Sequence, residues 1–173
     1  MSDYPWYSQV SGDSIEQGDI LEGVRLLVLP DSIPDDGSEV AVNWIRQTVI
    51  VMSQSCDLVV GREKVPEVLL CEVWPLDELG GHLSTPKGKE DARRGNLPSI
   101  HLLNGVDLPD FSAGPQVVDF RRVHTLPIDH FRKLCTAVDA RVRLMPPYRE
   151  HLSQAFARFF MRVGLPVDIP PFK

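Results

Sequence analysis

Five small polar residues directly follow an apolar, β-branched run and form the first candidate site in this sequence. The run spans residues 48–52, and the polar residues after it are Ser53, Gln54, Ser55, Cys56 and Asp57. Their hydroxyl, amide, thiol and carboxylate groups can hydrogen-bond to the backbone or to a ligand. The pattern predicts a buried strand that ends in a polar turn. In the structural interpretation, Asp57 and Ser55 organise backbone N–H groups, and Cys56 points inward as a small apolar side chain.

A catalytic interpretation of the same residues is also open. A cysteine hydrolase would require Cys56 to be activated by His101 or His124, with Asp57 or Asp119 orienting the imidazole. A metal site built from Cys56, Asp57, His101 and His124 is less favoured, because no pair of these residues has recognised ligand spacing. We therefore predict neither a metal nor another cofactor.

Composition limits the class of protein. The chain has 173 residues and is 43% hydrophobic, which is enough for one domain with a substantial core. No apolar stretch approaches the roughly 18 residues of a membrane span, and residues 1–6 lack the basic and apolar regions of a signal peptide. We therefore expect a cytoplasmic protein without membrane contact. The three cysteines, Cys56, Cys71 and Cys135, are odd in number and far apart, which indicates reduced thiols.

The charge changes sign along the chain. Residues 1–117 carry 8 lysines and arginines against 19 aspartates and glutamates, whereas residues 118–173 carry 10 against 5. We favour attraction between these two parts within one fold over an anionic partner, although RNA binding stays open. Arg121 and Arg122 are candidates to join Arg46 in a phosphate-binding groove. Because successive residues of a strand face opposite sides, only one of the pair is expected to reach it.

Hydrophobic periodicity predicts a mainly β fold with helices. Strands are expected over residues 18–30, 40–44, 48–52, 67–74, 99–103 and 116–123, and helices over residues 127–137 and 147–163. Residues 31–38 are predicted to form a polar loop, and residues 77–96 a flexible loop or a short helix. The last helix carries an apolar stripe, which we expect to be buried against the rest of the chain or against a second subunit. The stripe consists of Leu152, Phe156, Phe159, Phe160 and Val163.

Three segments together resemble the PemK/MazF-like family of small SH3-like β-barrels, which includes bacterial toxin endoribonucleases. They are Gly18 to Ile20; Arg46 to Ser53, which is similar to the family's Arg-Pro-x-aliphatic-x-aliphatic-Ser strand; and Val118 to Leu134, which is similar to its late strand-to-helix passage. Residues 53–57 also look like the signature of a bacterial branch of this barrel group. The resemblance implies a PemK/MazF-like barrel with an N-terminal arm over residues 1–137. A C-terminal helical extension, packed on the barrel or on a partner, would follow over residues 138–173.

The sequence departs from the toxins where they cleave RNA. The family uses an arginine before the second strand and a threonine or serine after a later Pro-Ile. Arg46 fits the first role, but Asp77 follows the later segment, residues 73–76, and its charge would repel phosphate. An acidic segment, residues 31–39, replaces the family's Gly-rich substrate loop.

These departures favour a non-catalytic binding or regulatory module of a bacterial or phage conflict system, such as toxin–antitoxin or defence, with a protein partner or a second copy. The main alternative is a metal-independent endoribonuclease that cleaves single-stranded RNA, with Arg46, Ser53, Cys56 and Asp57 as catalytic residues. A Cys-dependent hydrolase is the second alternative. An enzyme should bring Arg46 and residues 53–57 into one open basic groove, whereas a binding module should bury residues 53–57.

Overall fold

An antiparallel sheet forms the body of the molecule. The computed structural model describes residues 4–161, and these contain nine strands and three α-helices. The strands are β1 (Tyr7–Val10), β2 (Asp19–Val28), β3 (Asn43–Val51), β4 (Glu67–Pro75), β5 (Ile100–Leu103), β6 (Val106–Leu108), β7 (Phe111–Ala113), β8 (Gln116–Pro127) and β9 (Arg141–Leu144). The helices are α1 (Pro86–Arg93), α2 (Ile128–Thr136) and α3 (Tyr148–Phe160). Seven strands pair in the order β1-β9-β2-β3-β4-β8-β5, and β6 and β7 form a separate hairpin.

The prediction of a mainly β fold with helices is confirmed. Within residues 4–161 no ladder joins the outermost strands, β1 and β5, so closure into an SH3-like barrel stays a prediction. The longer strands lie in segments that periodicity identifies, because their Val, Ile and Leu residues fit a pleated, half-buried surface. The sequence does not predict β1, β6, β7 or β9, which have only three or four residues each.

The helices begin and end close to their predicted positions. Helix α1 lies in the segment predicted to be a loop or a short helix, and Thr85 caps it by accepting the Gly88 N–H at 3.0 Å. Helix α2 follows β8 directly, and α3 begins one residue after Pro147. None of the helices in the described part of the chain is long and apolar enough to cross a membrane.

Strand β3 separates two hydrophobic cores. Because successive strand residues point to opposite faces, Ile50 lies in the first core, whereas Val49 and Val51 lie in the second. Helix α3 reaches the first core through Leu152, and α2 reaches the second through Phe131; both side chains are fully buried. Each core is therefore covered by one helix.

The apolar stripe of α3 is largely packed against the first core. The members that contact this core are Leu152, Phe156 and Phe159. The Phe156 ring meets Phe120 of β8 edge-on, with 5.3 Å between the centroids. Phe160 is 61% exposed, although its ring lies against Phe156 and Phe159. Val163 lies outside the described residues. A partner interface on this stripe stays a prediction.

Ion pairs join the acidic N-terminal part to the basic C-terminal part, as the charge distribution predicts. The fully buried Asp19 carboxylate, at the start of β2, accepts hydrogen bonds from Arg141 and Arg143 of β9. Arg149 of α3 pairs with Glu16 at 3.2 Å. Strand β9 also lies between β1 and β2 in the sheet. The boundary predicted at residue 137 therefore falls between α2 and a strand of the main sheet.

Candidate functional site

The polar turn after β3, residues 53–57, uses its two hydroxyls to hold the fold together. Ser53 Oγ accepts the Leu69 N–H of β4 at 2.8 Å, and Ser55 Oγ accepts the Gln17 N–H at 3.1 Å. The buried Gln17 side chain in turn donates to the Met52 carbonyl at 2.8 Å. The turn thus connects the residues before β2, which we call the N-terminal arm, with the end of β3 and the start of β4. These hydroxyls satisfy backbone donors, which is the role that the structural interpretation gave to Ser55 and Asp57.

The exposure of Cys56 and the contacts of Asp57 differ from those that the structural interpretation predicts. Cys56 is exposed rather than inward-facing, because Leu58, two residues later, occupies the place in the second core. The Asp57 carboxylate forms an ion pair with Lys64 at 3.1 Å and accepts from the Cys56 thiol at 3.4 Å. Hydrogen bonds from Lys64 and then Cys56 hold the pKa of Asp57 below its ordinary value. Asp57 is therefore a partly exposed ion-pair partner, and Ser53 takes the backbone contact.

Arg46 lies at the opposite end of β3 from the turn. Six residues separate Arg46 from Ser53, and five of them lie in β3, so the two residues are about 23 Å apart along the extended chain. Arg46 is exposed and faces Arg25 of β2 across the ladder. The guanidinium carbons of Arg25 and Arg46 lie 4.7 and 5.9 Å from the centre of the Trp44 ring. Arg46 and the turn do not form one groove, and the turn is only partly buried, so the structure fits neither of the two predicted arrangements completely.

The histidines proposed as bases for Cys56 are engaged elsewhere. The cavity beside Cys56, of ≈ 370 Å³, is lined by side chains of the turn, of Gln17 and of α3. The described residues that line it do not include a histidine. His101 packs near Phe120, and burial, with a contribution from nearby His151, lowers its pKa to about 4. His124 instead contacts Glu72.

The other two cysteines, Cys71 and Cys135, are buried. Burial raises the pKa of Cys71 to about 12 and that of Cys135 to about 11, so both thiols stay protonated at neutral pH. Within residues 4–161 there is no group of three or more His, Cys, Asp or Glu side chains that could hold a metal ion.

A second polar cluster, which sequence reasoning did not assemble, lies at a bulge in β8. Cys71 of β4 pairs with Val123, but the next residue, Glu72, pairs with Asp119. Residues 120–122 of β8 therefore have no partner on β4, and we call them the bulge. Bulges of this kind redirect side chains and are frequent next to functional sites. Here the bulge lets both Arg121 and Arg122 line one cavity, so strand alternation does not separate them, and Arg46 is not part of the lining.

Glu72 is the centre of this cluster. Its side chain is 1% exposed, and its Oε1 lies 2.8 Å from His124 Nε2. The Trp74 indole N–H donates to Oε2 at 3.1 Å, and Arg122 Nε lies 3.8 Å from the same oxygen. One sequence signal could have identified it. Glu72 occupies an inward position in the alternating run Val68, Leu70, Glu72, and a charged residue at such a position requires partners.

A third feature is a two-stranded ribbon that extends beyond the sheet. Residues 24–28 of β2 pair with residues 43–47 of β3, and we call these ten residues the ribbon. Strand β4 pairs with β3 only from Thr48 to Val51, and β9 pairs with β2 only at Asp19 and Ile20. In the described part of the chain, both outer edges of the ribbon therefore lack a partner strand. The ladder to β4 stops near Pro75, which has no N–H to donate.

The ribbon carries several exposed apolar side chains, although its Val24 and Leu26 are buried in the second core. The exposed fraction is 71% for Leu27 and 51% for Trp44. Other exposed apolar side chains on the ribbon or beside it are Val28, Leu29, Ile33, Val42 and Ile45. Several exposed apolar side chains on one element of a folded protein are typical of an interaction site.

No protein-family model matches this chain, and no curated protein is significantly similar to it.

Proposed function

We propose that this chain is a non-catalytic binding module that pairs with a second copy of itself through the ribbon. The observation that carries the proposal is the ribbon itself, because a ribbon with exposed apolar side chains and no partner strand at either edge within residues 4–161 is costly to leave open. Proteins normally protect such edges with charges, prolines or covering elements, because exposed edges pair with other strands. A partner strand that adds to the edge of β2 would satisfy its backbone groups and bury Leu27.

A second copy is the partner that the charges favour. Antiparallel pairing of a strand with its own copy generates a two-fold axis, and the same patch is then used on both chains. In that arrangement the basic pair on the ribbon of one chain, Arg25 and Arg46, approaches the acidic loop of the other. The acidic residues of that loop are Asp31, Asp35, Asp36 and Glu39. One chain therefore carries both halves of a complementary surface.

The biological setting rests on the resemblance to PemK/MazF-like SH3-like barrels. Its support is the order of the segments, which includes Gly18 at the start of β2 and a late strand, β8, that runs directly into α2. We infer a role in a bacterial or phage conflict system, without RNA cleavage. Two observations support a non-catalytic role. Arg46 lies far from the turn, and the Ser53 and Ser55 hydroxyls are occupied as acceptors of backbone N–H groups.

Size-exclusion chromatography with light scattering tests the pairing. The wild-type protein is expected at twice the 19.4 kDa of one chain. Leu27→Glu places a charge on the ribbon and should give the mass of one chain, with an unchanged melting temperature at low concentration. Val60→Glu is a matched control, because Val60 is also exposed, at 55%, but lies outside the ribbon. A wild-type protein that stays monomeric at every concentration, or a Leu27→Glu variant that stays dimeric, would overturn the proposal.

The non-catalytic role has its own test. Long mixed-sequence RNA incubated with the protein should remain intact, because the structure does not join Arg46 to the polar turn. RNA cleavage that disappears in Arg46→Ala would favour the endoribonuclease instead. A dimer that cleaves RNA would thus overturn the catalytic part of the proposal and leave the pairing intact.

A further inference from the structure

A cavity of ≈ 630 Å³ opens beside the bulge in β8. This volume is typical of sites for small organic ligands. One part of its lining is apolar and consists of Leu79, Leu83, Ile100 and Val117. The Trp74 side chain adds an aromatic surface, and its bond to the buried Glu72 holds the indole in place. The cavity therefore has a preformed surface for a flat apolar group.

Arg121 supplies part of the polar lining and is held by Asp119. The Nε and Nη2 atoms of Arg121 donate to the two Asp119 oxygens at 2.8 and 2.7 Å. Burial disfavours the Asp119 carboxylate, but its bonds with Arg121 outweigh burial and keep its pKa below the ordinary value. The ion pair is thus intact at neutral pH. It fixes the guanidinium, and no described residue accepts a hydrogen bond from the Arg121 Nη1 donors.

The Arg122 guanidinium has hydrogen-bond donors that no carboxylate of the described residues engages at hydrogen-bonding distance. Its closest carboxylate contact, with Glu72, is 3.8 Å, which is longer than a hydrogen bond. No other described residue accepts a hydrogen bond from its guanidinium, and the side chain is 57% exposed. The guanidinium carbon lies 5.9 Å from the centre of the Trp74 ring, so charge and aromatic surface are adjacent. Arg122 is therefore positioned for an anion bound against Trp74.

We propose that this cavity binds a small molecule that carries a phosphate group on a planar aromatic body, the chemistry shared by nucleotides and aryl phosphates. The phosphate accepts hydrogen bonds from Arg122 and from the unused N–H groups of Arg121. Two neighbouring guanidiniums suit the several terminal oxygens of a phosphate. The aromatic body packs between Trp74 and the apolar lining. This site is separate from the ribbon and goes beyond the proposed pairing.

The local charges indicate how such a ligand would be held. Glu72 and Asp119 balance Arg121 and Arg122, so the cavity has no large positive field. Affinity then depends on directed hydrogen bonds and on aromatic contact together, and neither half of the ligand alone should bind well.

Isothermal titration calorimetry with four probes tests this inference. The probes are AMP, 1-naphthyl phosphate, adenosine and inorganic phosphate. At least one phosphate ester is expected to bind, with adenosine and inorganic phosphate each about tenfold weaker or more. Binding of AMP but not of 1-naphthyl phosphate assigns a nucleotide, whereas the reverse assigns an aryl phosphate.

Two variants identify the site. Arg122→Gln removes the guanidinium and should weaken ester binding about tenfold or more without changing the melting temperature, since the side chain is largely exposed. Arg62→Gln is the control, because Arg62 is an exposed arginine outside the cavity, and its affinity should equal that of the wild type. The inference is overturned if neither ester binds at millimolar concentration, or if Arg122→Gln binds as tightly as the wild type.

Discussion

The two halves of β3 have opposite surroundings although they belong to one continuous strand. Val49, Ile50 and Val51 are fully buried between the two cores, and the turn that follows is hydrogen-bonded to the N-terminal arm and to β4. In the ribbon half, Trp44 is 51% exposed and Ile45 is 37% exposed. Local propensity is enough to make both halves extended, whereas burial depends on which neighbouring elements reach them.

The neighbours of β3 explain the difference. Strand β4 pairs only with the second half of β3, and α2 and α3 pack on the cores at that end. Polar groups in the buried half must therefore be satisfied within the chain, as Ser53 and Ser55 show. On the ribbon, Val24 and Leu26 still reach the second core, whereas Leu27 and Trp44 are exposed and stay available to a partner.

The largest effect is expected at the buried end, from the ion pairs that hold the start of β2 beside β9. Asp19→Ala leaves Arg141 and Arg143 without their shared carboxylate. Because breaking a buried ion pair leaves an uncompensated charge, unfolding in urea should show a loss of about 3 to 5 kcal/mol. Glu22→Ala, an exposed carboxylate on the same strand, should change the free energy of unfolding by less than about 0.5 kcal/mol. Equal unfolding midpoints for the two variants would contradict this account of the buried end.

An intermediate effect is expected in the turn. Ser53→Ala leaves the Leu69 N–H without its acceptor and should lower the free energy of unfolding by about 1 to 2 kcal/mol. Asp57→Ala removes only a partly exposed ion pair with Lys64 and should have a clearly smaller effect. Thermal and urea unfolding of both variants measure the difference. If Asp57→Ala were the more damaging change, the carboxylate rather than the serine hydroxyl would organise the turn.

The smallest effect is expected on the ribbon. Ile50→Val removes one methylene group from a fully buried side chain and should cost about 1 kcal/mol. The same change at Ile45, in the exposed half of the strand, should leave the free energy of unfolding almost unchanged at concentrations where the protein is monomeric. A comparable loss at both positions would show that Ile45 is packed within a single chain.

The helices and the long strands could be predicted because their signals are local. The period-two runs of β2, β4 and β8 and the one-sided stripes of α2 and α3 are visible in short windows of sequence. The candidate site was only partly predictable for the same reason. A polar turn after β3 follows from residues 53–57, but the choice of Leu58 over Cys56 for the core depends on the space left by α2 and β4.

The sequence by itself determined a mainly β chain with two amphipathic helices, a polar turn after a buried strand and attraction between its acidic and basic parts. Only the tertiary structure decided that Arg46 lies far from that turn and that Arg121 and Arg122 line the same cavity. It also decided that, among the described residues, neither edge of the ribbon has a partner strand. Each of these results depends on strand register and on where a neighbouring strand stops. Register joins residues that are distant in the chain, such as Glu72 and Asp119, and local periodicity does not contain that information.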